Sequence, residues 1–419
     1  MIVKNLHINV KIRLLVLVLQ RLGTTLIIPF MAIYFAQEYG VATAGLIILI
    51  TIMGSIFASL YAGYYSDKYG RKKILVFASF TRSCAFLLMA LFNMPNNQII
   101  AMSIFSLLLI NICLGLSIPP TQAMIIDVTS KENRKYVYTL SYWFNNTAMA
   151  IGTLLGAFLF KDYFFELLLF VTFLNFVIFF LIKFLLVETH SLKQVIPIKK
   201  SPFHEFVNSY KTGINDVLFR KFILAGLLTL GLEMQLGNYI SVLLENDFKV
   251  VSILDFKITG IIMYGILQVE NAVLVIVLAI MLNRLLKKLS VNNLTQLNVG
   301  TALFTFGFFG LTITNSFVFL IIAMVILSIG ELMYVPVKNT LLAELPDDEN
   351  RSKYMALNTL NVRGASILGA IGLSIGGLLP PWGMGIIYLL MGAVSILLFY
   401  DIFKNKIDTL NEESNVSNG

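Results

Sequence analysis

The chain has 419 residues, 58% of them hydrophobic and only 13% charged, whereas soluble domains carry about a quarter. That balance excludes an ordinary soluble globular domain and implies an integral membrane protein. The formal net charge of +8 needs no nucleic-acid partner, because positive charge concentrates in the loops on the cytoplasmic side of multi-pass proteins.

At about 20 helical residues per crossing, apolar segments at 12–36, 44–65, 74–93, 98–125, 136–160 and 166–187 predict six spans. Segments at 221–244, 260–283, 292–314, 317–337, 355–378 and 382–400 predict six more. The expected architecture is all-α: twelve transmembrane helices in two pseudo-symmetric six-helix bundles. Residues 1–187 form the first bundle, 188–220 a cytoplasmic linker, 221–403 the second bundle and 404–419 a polar cytoplasmic tail. The first span is too long for a cleavable signal and lacks a small-residue cleavage site.

Lys and Arg set the orientation. Of the 31, 24 fall in the N-terminus through Arg13, the turn 66–73, the loop 128–135, the linker taken through Lys221, the loop 284–288, the loop 338–353 and the tail. Placing those on one side makes both termini cytoplasmic. Cys84 and Cys113 lie inside spans, and His7, His190 and His204 in cytoplasmic segments, so neither a disulfide framework nor a metal site is expected.

In chain order, the first span carries Arg21, ahead of Gly23 and Pro29. Between the second and third spans lies the turn Gly63-Tyr-Tyr-Ser-Asp67-Lys68-Tyr-Gly70-Arg71-Lys72-Lys73. The third span carries Arg82, and the fourth ends at Asp127, close to Glu132 and Arg134. A shift of 217 residues superposes Pro119 on Pro336, Asp127 on Glu344, Glu132 on Glu349, Asn133 on Asn350, Arg134 on Arg351 and Gly152 on Gly369. A shift by six spans preserves direction, so the halves are parallel repeats. The same shift sets Arg284 opposite Asp67, leaving the turn without its acid in the second half.

Acids inside the second half are the candidate binding groups. At ~1.5 Å per residue, Glu233 lies roughly 18 Å into span seven, Glu331 roughly 20 Å into span ten from its outer end, and Glu270 roughly 15 Å into span eight. Ionisable groups at such depths are costly and usually functional. A carboxyl in a low-dielectric cavity can take a proton on one side and lose it on the other. Asn271 is a candidate packing partner for Glu270. Arg21, Arg82 and Arg363 lie roughly 12 to 15 Å from the cytoplasmic face, as candidates for pairing with membrane acids or for snorkelling.

Gly63-x-x-x-Asp67-Lys68-x-Gly70-Arg71-Lys72-Lys73, set between spans two and three, resembles the signature loop of the major facilitator superfamily. The resemblance implies that Asp67 faces the start of span eleven and that Arg71 pairs with Asp127, a latch stabilising the outward-facing state. Gly63 and Gly70 are expected to allow close approach and a tight turn. Gly63, Asp67, Lys68, Gly70, Arg71, Asp127 and Arg134 are the expected gating set.

The run Ala123-Met-Ile-Ile-Asp127-Val-Thr-Ser-Lys-Glu132-Asn-Arg134, with Tyr142-Trp143, Leu282-Asn283-Arg284 and Gly330-Glu331-Leu-Met-Tyr334-Val-Pro336, resembles the LmrP-type proton-coupled multidrug exporters. In those proteins membrane acids bind protons and lipophilic cations. Two acids of that family fall at Ser141 and Gly237 here; Glu233, one turn before Gly237, is placed to substitute for the second. The family's span-five glycine motif is partial, retaining Gly152 and Gly156.

The expected function is proton-driven efflux of lipophilic cationic compounds by alternating access, with no enzymatic activity. The energy source is the proton gradient, and no cofactor is needed. The expected partners are a small-molecule substrate, protons and the lipid bilayer of a bacterial cell membrane, around a monomeric chain. The alternative is an importer of a small polar or anionic nutrient, with Arg21, Arg82 and Arg363 as its ligands.

Overall fold

A computed structural model describes residues 7–95, 97–189, 216–253, 256–345 and 351–417, excluding the side chains of 131–135 and 351–357 among others. The expected linker therefore lies mostly outside the described residues. Contacts cluster into two compact units, one of Met1–Glu38 with Leu46–Phe206, the other of Tyr39–Gly45 with Val207–Gly419.

In the first unit, α1 (Ile8–Ile27) starts where the His7 side chain accepts the Asn9 amide. It passes through a 3₁₀ turn, Ile28–Phe30, into α2 (Met31–Tyr39). Pro29, which has no amide hydrogen to donate, sits in that turn. The unit continues through α3 (Val41–Tyr69), α4 (Arg71–Leu91), α5 (Ile100–Asp127), α6 (Lys131–Leu159) and α7 (Phe164–Phe180), which ends in a π-turn, Leu181–Leu185. Its core joins Ile12 and Val16 of α1 to Leu75 of α4, Met124 of α5 and Ile178 of α7. Gly152 and Gly156 of α6 lie against Leu22, Thr25 and Leu26 of α1 and Phe30 of the 3₁₀ turn, with no room for a Cβ. These two positions serve helix packing.

The second unit comprises α8 (Val217–Gln235), a π-turn (Leu236–Ile240), α9 (Ser241–Asp247), α10 (Gly260–Lys288), α11 (Asn293–Ile313), α12 (Phe317–Glu344), α13 (Arg351–Gly376) and α14 (Pro381–Ser417). The 217-residue offset carries α5 onto α12 at both ends, the end of α6 onto the end of α13, and the start of α7 onto the start of α14. Packing repeats too. The pairs α1/α6, α4/α5, α4/α7 and α1/α7 of the first unit correspond to α8/α13, α11/α12, α11/α14 and α8/α14 of the second.

Nine segments among the described residues are long and apolar enough to cross a membrane. Of the spans expected from sequence, those built on α6, α8 and α13 fall outside that set. Each carries a polar series: Ser141, Asn145 and Asn146 on α6; Arg220, Lys221 and Glu233 on α8; Asn358, Asn361 and Arg363 on α13. Two short antiparallel hairpins depart from an all-helical chain. Strand β1 (Asn93–Met94) pairs with β2 (Asn97–Gln98), and β3 (Val251–Ile253) with β4 (Phe256–Ile258). Both sit where one helix must reverse into the next, and the first contains the turn-forming run Pro95-Asn-Asn.

Candidate functional site

The charged turn is built by Gly70, whose φ of +100° suits a residue without Cβ. It reverses the chain between α3 and α4. Arg71 then opens α4 and forms an ion pair with Asp127 at the end of α5, and its Nε lies 4.0 Å from the exposed carboxylate of Asp67. Lys68 turns back over the Tyr64 and Tyr69 rings, at 5.8 and 5.2 Å. Glu188, just after α7, accepts the Lys72 amide at 2.9 Å, placing a carboxylate at the N-terminus of α4, where the helix dipole favours it. A Cβ on Gly70 would come within 2.8 Å of that carboxylate. Gly63 is a correction: nothing lies within 4 Å of its Cβ position, so no close helix approach depends on it. The side chains of Arg134 and of the first turns of α13 lie outside the described residues.

The membrane acids converge differently. Gly330 packs on the Phe304 backbone and the Gly300 carbonyl of α11, which fixes the rotation of α12. The next residue, ~100° further round the helix, is Glu331. It meets α10, where Asn271 Nδ2 donates to Glu331 Oε2 at 3.0 Å. Asn271 therefore serves Glu331 and not, as expected, Glu270. Glu270 Oε2 is buried without a hydrogen-bond partner among the described residues.

On α8, Asp216 accepts the Phe219 amide at 3.1 Å and Lys221 pairs with Asp401 of α14. At the other end, buried Gln235 donates to the Leu368 carbonyl of α13 at 3.0 Å and accepts from Tyr388 of α14 at 3.4 Å. Glu233 is held between these two fixed points. Its side chain is exposed, unlike that of Gln235 two residues on. Gln235 is followed by the π-turn that contains Gly237, a feature frequent at functional sites.

Lys338 is a second correction. The sequence pattern places it in a cytoplasmic loop, but α12 continues to Glu344, and Lys338 is only 8% exposed. Its ammonium stands 5.4 Å from the centre of the Tyr334 ring and interacts electrostatically with both Glu233 and Glu331. No ion pair shorter than 4.0 Å joins it to either acid among the described residues. Tyr334 is fully buried between the two acids' helices, its hydroxyl beside Thr229 of α8 but without a hydrogen bond of normal geometry. The cluster of Glu233, Glu331, Lys338, Tyr334 and Asn271 thus draws on α8, α10 and α12 of one unit. It combines two carboxyls with one ammonium.

The arginines lie elsewhere. Arg82 of α4, 3% exposed, donates from Nε to Asn175 Oδ1 at 2.7 Å. Arg21 Nη2 contacts Met149 Sδ at 2.8 Å, and Arg363 is half-buried on α13. Ser141, standing where the resembled family has an acid, donates to the Val137 carbonyl at 2.8 Å. Among the described residues no group of three or more His, Cys, Asp or Glu side chains is placed to hold a metal ion.

Residues 14–298 match the family model of the Major Facilitator Superfamily. The chain is 30% identical over 411 residues to a Na(+), Li(+), K(+)/H(+) antiporter of Planococcus maritimus, covering 94% of this chain and 95% of that one. Its fold matches a crystal structure of the peptide transporter POT, a point mutant in complex with alafosfalin, with a TM-score of 0.71 at 14% identity over 94% of each chain. It also matches the nucleoside transporter NupG, with a TM-score of 0.70 at 11% identity over 94% of this chain and 99% of that one. Signature turn, paired halves, family match and full-length relative agree: the chain is a multi-pass membrane transporter and belongs to the Major Facilitator Superfamily.

Proposed function

We propose that the protein is a proton-coupled antiporter that extrudes a monovalent cation, with Glu233 and Glu331 as the exchange site. The observation that carries this reading is the charge of the cluster. Two carboxylates and one ammonium leave a net charge of −1, which either one proton or one monovalent cation neutralises. Proton and cargo then compete for one site, as exchange requires. The full-length relative named for alkali-cation/proton exchange supports the same class of cargo. A net-negative site disfavours the anionic nutrient of the alternative reading.

A lipophilic organic cation satisfies the same arithmetic. Tyr334, already facing one ammonium in the site, offers an aromatic surface of the kind that attracts such cations. Drug efflux is therefore retained as a second reading. Twelve spans with both termini cytoplasmic, a monomeric state, a bacterial cell membrane and a cycle needing no cofactor belong to the same proposal. So does a gating role for the signature turn, in which Arg71 holds Asp127.

Proteoliposomes carrying a luminal pH dye test the reading. Addition of Na⁺, K⁺ or ethidium to acid-loaded vesicles is expected to drive proton movement, and Glu331→Gln and Glu233→Gln are expected to lower or abolish it. Proton movement unchanged in both variants, or absent with all three cations, rejects the proposal.

A further inference from the structure

Lys338 sits six residues before the end of α12, ~9 Å along the helix axis. A lysine there ordinarily extends toward the nearer water. This one turns the other way. Side chains on a helix tilt toward its N-terminus, and the Lys338 ammonium lies over the ring of Tyr334, one turn deeper. Glu331, Tyr334 and Lys338 are spaced i, i+3 and i+7, along one face.

The Tyr334 ring lies beneath the ammonium, and Glu233 from α8 and Glu331 from its own helix act on it electrostatically. From α10, Asn271 reaches Glu331, while Glu270 forms no ion pair with Lys338 among the described residues. The ammonium has two carboxylates within electrostatic reach and a direct salt bridge to neither. It can thus partly neutralise both without locking either one.

We propose that Lys338 is a tethered competing cation, which stands in for cargo at Glu233 and Glu331 and sets how weakly the site holds both the transported cation and the proton. The inference rests on the reading of those two glutamates as the exchange site. Exchange needs release as much as binding, and two neighbouring carboxylates with no fixed positive charge beside them would hold any cation tightly. A neighbouring fixed positive charge lowers that affinity by Coulomb repulsion of the incoming cation. It also resists protonation of the acids, because a nearby cation favours the ionised carboxyl.

The test compares the parent with Lys338→Met and Lys338→Arg in proteoliposomes, using Na⁺ and a luminal pH dye. Lys338→Met is expected to lower the half-saturating Na⁺ concentration at least about tenfold, to slow the maximal rate, and to move the pH profile upward. Lys338→Arg, which keeps the charge, is expected to stay near the parent. A Lys338→Met protein with a reduced rate but the parent's half-saturation and pH profile overturns the proposal and leaves Lys338 a packing residue.

A second measurement does not depend on transport. Dicyclohexylcarbodiimide labels protonated carboxyls in apolar surroundings, so labelling of Glu233 and Glu331, read by mass spectrometry on monodisperse detergent-solubilised protein, reports their protonation. In Lys338→Met labelling is expected to persist to a pH about one unit higher; an unchanged labelling profile overturns the proposal. If the parent moves no protons with Na⁺, K⁺ or ethidium, the antiporter reading fails on its own, and the labelling profile still decides the role of Lys338.

Discussion

Asn271 of α10 donates to the Glu331 carboxylate of α12 across 3.0 Å, and this single bond ties a third helix to the charged cluster. A hydrogen bond to a charged group contributes about 1.5–3 kcal/mol, and here it holds the Glu331 carboxyl against α10. Removing it frees that carboxyl from its fixed position. Asn271→Ala is therefore expected to raise the half-saturating cation concentration several-fold, with Asn271→Gln intermediate. Initial rates of cation-driven proton release in everted vesicles, taken over a series of cation concentrations, check this, and an unchanged half-saturation removes the bond from the site.

Arg71 and Asp127 form the first unit's principal ion pair, Arg71 being mostly buried and Asp127 partly so. Removal of Arg71 leaves the Asp127 charge uncompensated at the C-terminal end of a helix, and removal of Asp127 leaves Arg71 only the more distant, exposed Asp67. Arg71→Gln or Asp127→Asn is expected to slow transport several-fold at near-normal expression, and the exchange Arg71→Asp with Asp127→Arg to recover part of it. Because the pair is partly exposed, the coupling read from the full cycle is expected near 1 kcal/mol, measured as thermal stability in detergent. A coupling near zero, with additive losses, removes the pairing as the reason these residues matter.

The turn, the 217-residue repeat and the position of Glu331 were legible because each is local or periodic. The repeat holds one register without gaps, and the structure repeats helix ends at the same offset. Lys338 was not legible by charge counting, which treats a lysine after an apolar run as topogenic. The signal that finds it is the spacing Glu331, Tyr334, Lys338 on one helical face. The partner of Asn271 depends on the rotation of α12. Close packing of Gly330 on α11 decides that rotation, and it has no signature in the residues around Asn271. The π-turn after Gln235 inserts a residue into the helical register, which an ideal 3.6-residue period does not anticipate.

Glu188 and Gly70 give a second cycle. Gly70→Ala forces a side chain into φ +100° and brings its Cβ within 2.8 Å of the Glu188 carboxylate. The backbone cost is about 1–2 kcal/mol, with the clash in addition. Gly70→Ala is expected to lower the unfolding temperature, and Glu188→Ala in that background to restore only the part owed to the clash. Full restoration, measured by scanning fluorimetry, implies that the turn adapts its backbone without strain.

Gly63 and Gly330 should respond oppositely to the same change. Both lie within helices, where Gly→Ala removes backbone freedom from the unfolded chain and gains up to about 1 kcal/mol if the site has room. At Gly63 there is open space, so Gly63→Ala is expected to be neutral or slightly stabilising, with transport retained. At Gly330 a Cβ meets the Phe304 backbone and the Gly300 carbonyl, which cannot move aside as a flexible side chain does. Gly330→Ala is expected to separate α11 from α12, displace Glu331 from Asn271, and cost about 1–3 kcal/mol through overpacking. The discriminating measurement is paired: unfolding temperature for packing, and half-saturating Na⁺ for the site. Gly330→Ala that loses stability but keeps the parent's half-saturation would mean that Glu331 does not depend on the rotation of α12 set by that glycine.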